Sequence, residues 1–68
     1  MADSLASAYP IEQARIRQLI TDYRSLPNGA GMLGALMLEQ TLAEADRAMA
    51  AQDVVAMIQA YAAMRECQ

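Results

Sequence analysis

Leu26-Pro27-Asn28-Gly29-Ala30-Gly31 divides the chain. Pro27 disfavours helical dihedrals at Leu26, and Asn28-Gly29 supplies residues that accept a positive φ. A helix arriving here must end, and whatever follows Gly31 must start afresh. Reading backward, Ile16, Leu19, Ile20, Tyr23 and Leu26 recur at i, i+3, i+4, i+7 spacing, with Arg15, Arg17, Gln18, Asp22 and Arg24 on the remaining faces. The pattern predicts an amphipathic helix from Pro10 to Ser25. Pro10 fits its first turn, where the missing N–H has no intrahelical partner, and Glu12 complements the dipole. Residues 1–8 are small and polar with no apolar period, so a flexible N-terminus is expected, with residues 9–68 forming a single helical domain.

Reading forward, Ala35, Leu38, Leu42, Ala45 and Met49 lie three or four apart and predict a second helix from Met32 to Ala51. No Gly or Pro stops it, so phase decides between one long helix and two. At about 100° per residue its stripe would continue through Gln52 or Asp53 to Ala56, whereas the bulky residues Val54, Ile58, Tyr61 and Arg65 form a row displaced by about 140°. Asp53 is a competent N-cap. A tight turn between Ala50 and Asp53 and a third helix from Asp53 to Glu66 follow, with that bulky row as its stripe; the alternative is one unbroken helix.

Composition supports an all-α fold. The 68 residues are 56% hydrophobic without Phe or Trp, and include six Met and fifteen Ala. Val occurs only at 54 and 55 and Thr only at 21 and 41, so strand-favouring residues are scarce. The expected architecture is a small helical bundle of two to three helices. A core this small rarely supplies more than about 3 to 5 kcal/mol, which favours association with a second copy.

Charge and residue inventory exclude most other functions. The net charge is −3, there is no Lys, and the five Arg at 15, 17, 24, 47 and 65 do not cluster, so nucleic acid and anionic lipid are not expected partners. The longest apolar run, Ala30 to Leu38, is far shorter than the roughly 20 residues a bilayer needs, so no membrane insertion is expected. The N-terminus lacks the positive region of a secretory signal, giving a cytoplasmic expectation in which Cys67 stays a thiol bystander. No His supplies a general base or metal ligand. Glu39, Glu44 and Asp46 read as a solvated helix face. Gly29, Gly31 and Gly34 lack the strand, spacing and following Lys or Ser/Thr of a phosphate loop, and Gly34 is better read as letting a neighbouring backbone approach. Neither catalysis, metal nor cofactor is expected.

One feature of the second helix is hard to bury in a monomer. With Leu42 at the centre of the buried face, Leu33, Leu36 and Met37 fall about 120° to 180° away, on the back, where Gln40, Glu44 and Arg47 follow. A second copy, a protein target or the folded-back N-terminus are the possible covers. A second copy is favoured by the small core, giving a homodimer interface of Leu33, Leu36, Met37 and Gln40. Tyr23 and Tyr61 fall on apolar stripes and are expected to pack with their hydroxyls at the edge. Tyr9, Arg24, Met57 and Met64 sit at stripe edges and are the expected partner-binding residues, Arg as a hot-spot type and Met as an adaptable one.

The run Tyr23-Arg24-Ser25-Leu26-Pro27-Asn28-Gly29-Ala30-Gly31-Met32-Leu33-Gly34-Ala35-Leu36-Met37, with Asp53-Val54-Val55-Ala56-Met57, resembles small accessory proteins of Mu-like transposable bacteriophages, over roughly residues 11 to 66. The resemblance implies a dimeric helical host-takeover inhibitor that binds a host protein, such as a transcription regulator or a pilus motor. It carries no motif from which site residues transfer. The alternatives are a structural or assembly subunit that only self-associates, and a small transcriptional regulator, which the scattered charge disfavours.

Overall fold

The computed structural model describes residues 4–67. Three α-helices follow in order: α1, Leu5–Arg24; α2, Met32–Ala51; and α3, Val54–Glu66, with a short 3₁₀ turn at Pro27–Gly29 between the first two. α1 starts earlier than the sequence suggests. Ser4 caps it by accepting from the Ser7 N–H at 3.2 Å, and the Ser7 hydroxyl returns a bond to the Ser4 carbonyl. Leu5 packs against the core, which gives this first turn a reason to form. Of the expected flexible segment, residues 4–8 are therefore ordered helix or cap, and residues 1–3 lie outside the described residues. Pro10 sits inside α1 rather than at its start. The carbonyl it leaves without a donor belongs to exposed Ala6, where solvent can take it.

The two turns follow from residues that accept left-handed backbone. Asn28 has φ 61° and Gly29 φ 70°. α2 ends at Gln52, φ 54° and ψ 33°, and the Asp53 N–H reaches back to the Ala48 carbonyl at 3.2 Å, closing a Schellman-type turn. Asp53 then caps α3, its carboxylate accepting from the Ala56 N–H at 3.2 Å. The break predicted from helical phase is thus a real turn.

α1 and α3 both run antiparallel to α2, which is the central element. Tyr9, Ile16, Leu38, Ala45 and Met64 form the buried core. Polar contacts fix α1 on α2: the Tyr9 hydroxyl donates to the Ala45 carbonyl at 2.8 Å, and Gln13 Nε2 donates to Asp46 Oδ1 at 2.7 Å. Arg17 pairs with Asp46 at 3.2 Å, and Arg24 pairs with Glu39. Asp46 and Glu39 are therefore half-buried inter-helix partners, not members of a solvated face. At the other side, the Arg15 guanidinium donates to the Met64 carbonyl and, at 2.9 Å, to the Cys67 carbonyl, closing the C-terminus of α3. Among the described residues no buried side-chain nitrogen or oxygen lacks a partner.

Gly31 and Gly34 let α1 and α2 meet closely at their joined ends. A Cβ on Gly31 would strike the Tyr23 carbonyl, and one on Gly34 would lie 2.5 Å from the Tyr23 ring. The close approach expected at Gly34 exists, but it is made by an aromatic ring there and by backbone at Gly31.

Candidate interaction surfaces

Two groups of large apolar side chains remain in solvent, at opposite ends of α2. The first lies at the tip of the α1–α2 hairpin, where Leu33 is 72% exposed, Met37 63% and Leu36 55%, with Leu26 and Met32 beside them. Helical phase puts Leu33, Leu36 and Met37 on the back of α2, and at Met37 a second geometric cause adds to this exposure. α2 has 20 residues and α3 has 13, so at 1.5 Å per residue α3 is shorter by about 10 Å. Cys67, just past α3, lines a groove of about 380 Å³ with Met37 and Thr41 of α2, which marks the level at which α3 stops. Beyond that level α1 and α2 continue as a bare hairpin. The groove forms a step, floored by the Tyr23 ring on Gly34.

The second group lies on α3. Val54, Val55 and Ile58 are 55–66% exposed, although the bulky row Val54, Ile58, Tyr61, Arg65 was expected to face the core. Packed against the core instead are Met57, Ala60 and Met64, joined by Tyr61, the member of the expected row that does face inward. Small residues line the open seams between the two helices, Ala48 of α2 with Ala56 of α3 in one cleft and Ala56, Ala60 and Ala63 with Glu44 in another. Further along α3, Tyr61 and Arg65 line a groove of about 270 Å³ against Ile11 and Glu12 of α1. Ile11 is 67% exposed. The Arg65 guanidinium bonds the Tyr61 hydroxyl at 3.3 Å and lies 5.8 Å from its ring centre, so the two present one rigid polar-aromatic unit.

The expected site residues divide accordingly. Leu33, Leu36, Met37 and Gln40 are all exposed on the back of α2, as their phase requires. Arg24 is half exposed but is held by Glu39 across the α1–α2 crossing. Tyr9 and Met64 are fully buried and out of reach of a partner, a correction that follows from α1 starting early and from the rotation of α3. Met57 is partly buried against the core and offers only its edge. Ile11, Val54, Val55 and Ile58 were not foreseen as surface groups. The helical period within α3 carried no signal for the last three, because it does not set the rotation of α3 against α2.

Burial, and secondarily the charge of Asp46, pushes the Tyr9 hydroxyl above its ordinary pKa, keeping it a neutral donor. Among the described residues no group of three or more Cys, Asp or Glu is placed to hold a metal ion, and no helix is long and apolar enough to cross a membrane. Compared with protein-family models, with curated proteins and with solved structures, the chain has no match.

Proposed function

We propose that the protein is a small helical interaction module that binds and blocks another protein through the flank of α3. The observation that carries this reading is the exposed apolar patch of Val54, Val55 and Ile58 on α3, with exposed Arg65 further along the same helix. Fully burying a Val or Ile side chain is worth about 1.5 to 3 kcal/mol, so a patch left in solvent represents unused binding free energy. The exposed Val54, Val55 and Ile58 suit the apolar face of an amphipathic helix, and the nearby mixed groove of Ile11, Glu12, Tyr61 and Arg65 offers polar contacts, Tyr and Arg being frequent hot-spot residues. The resemblance to phage accessory proteins sets the class of target as a bacterial host protein, for example a transcription regulator or a motor protein, met in the host cytoplasm. A second reading, an assembly subunit that only self-associates, is favoured by the apolar hairpin tip.

Capture from bacterial lysate with the parent chain and with Ile58→Asp separates the two. The inhibitor reading expects one stoichiometric host protein that rebinds when purified and that Ile58→Asp loses, weakened about 30-fold or more, as truncation of a hot spot implies. Recovery of the chain's own oligomer alone, with both variants, sinks it in favour of the assembly subunit.

A further inference from the structure

We propose that the tip of the α1–α2 hairpin is a twofold contact with a second copy of this chain, in which Met37 of each copy seats in the step that the other leaves beyond α3. Three observations converge on this occupant. The first is shape. The step exists because α3 ends level with Met37 and Thr41 while the hairpin runs on, and a hairpin tip from a second copy approaching antiparallel fills the track that a longer α3 would have taken. Each copy supplies both the protruding tip and the empty track, so one contact satisfies both.

The second is charge. At −3 per chain, two copies repel unless they meet where charge is absent. A twofold contact is also stricter than other contacts, because each charge near the axis faces its own like. Residues 26–38 contain no charged side chain, and the first acid after them, Glu39, is neutralised within the chain by Arg24. α3 also has an uncharged run, residues 54–64, but Asp53 and Arg65 bound it and Glu12 and Arg65 line its groove, where among the described residues no ion pair joins those two to neutralise them.

The third is area. The accessible surface is 4705 Å², whereas a compact folded monomer of 7.4 kDa is expected to expose roughly 4,200 Å². The excess is on the order of 500 Å² over the whole chain, with the exposed tip among its contributors, and a contact that buried this much from each of two copies would remove about 1,000 Å², the lower bound of a specific interface. The contact uses the opposite end of α2 from the α3 flank and does not rest on the reading given for that flank.

Sedimentation of the full chain from submicromolar to hundred-micromolar concentration tests the proposal, with reaction of the Cys67 thiol against an aromatic disulfide reagent as a second readout. The parent is expected to pass from monomer to dimer, with Cys67 reacting more slowly as the dimer closes the groove. Met37→Glu, on an exposed position, should keep its helical spectrum, weaken dimerisation about a hundredfold and leave Cys67 reactivity independent of concentration. A parent that stays monomeric throughout overturns the proposal. So does a dimer that survives Met37→Glu or leaves Cys67 equally reactive, which would point to another face, or a series of species beyond the dimer, which would mean an open contact. Binding of a different protein at the tip is revealed if Met37→Glu abolishes its capture while the parent alone remains monomeric, and that too overturns it.

Discussion

Gln52 holds the α2–α3 turn at a cost. Its φ of 54° is a left-handed conformation in which a Cβ crowds the backbone, and at the residue after a helix glycine is the usual occupant. Gln52 is exposed and its side chain has no contact that would offset the strain. Gln52→Gly is therefore expected to stabilise the protein by up to about 1 kcal/mol, despite the greater backbone freedom of glycine in the unfolded chain. At this size, such a gain raises the thermal midpoint by about 4 to 8 °C, measured at one fixed protein concentration. A lower midpoint would show that the turn does not rely on left-handed backbone at this position. The sequence foretells the turn from phase and from Asp53, but no residue type there marks Gln52 as the left-handed one.

At the scale of elements, the rotation of α3 about its own axis decides which side chains form the core and which form a surface. Met64 is fully buried and Ile58 is 55% exposed. Met64→Ala should cost about 2 to 5 kcal/mol through lost transfer free energy and the cavity left behind. Ile58→Gln should change stability by no more than about 0.5 kcal/mol. Urea unfolding of the two variants with an unchanged slope distinguishes the arrangements, because a core-facing Ile58 reverses the order. The helix boundaries of α2 and the existence of α3 were legible from period and capping alone. The rotation was not, since bulk pointed to Val54 and Ile58 while the side chains that pack inward are Met57, Ala60, Tyr61 and Met64. The candidate tip surface was legible for the complementary reason: Leu33, Leu36 and Met37 share a helix whose buried face is fixed by Ala35, Leu38 and Ala45.

At the scale of the whole molecule, a few long-range polar contacts lock three helices into an elongated form of about 41 × 26 × 16 Å. Tyr9 joins the first turns of α1 to the second half of α2, fully buried and bonded to the Ala45 carbonyl. Its raised pKa gives a pH dependence of definite sign. Below the ordinary value of 10.0 the hydroxyl is protonated in both folded and unfolded chains, and its contribution is fully present. Above it the unfolded chain ionises first, so stability falls as pH rises toward the folded value. Tyr9→Phe should lose about 0.5 to 1.5 kcal/mol at neutral pH with the hydrogen bond, yet decline less between neutral and alkaline pH than the parent. Equal alkaline losses in chemical unfolding of the two proteins would remove Tyr9 as the origin.

The sequence by itself determined the class of the elements and narrowed their count: scarce β-branched residues and a Pro-Asn-Gly break leave two to three helices, and the change of helical phase favours three. It also determined the apolar back of α2, because one helix's period is a local property. Tertiary structure alone decided which row of α3 is buried, that Tyr9 and Met64 belong to the core, and that Arg15 closes α3 from 49 and 52 residues away. These depend on how closely two helices can approach and on where a third one ends. Such distances are set by the sum of side chains across an interface, and no stretch of a single helix contains that sum.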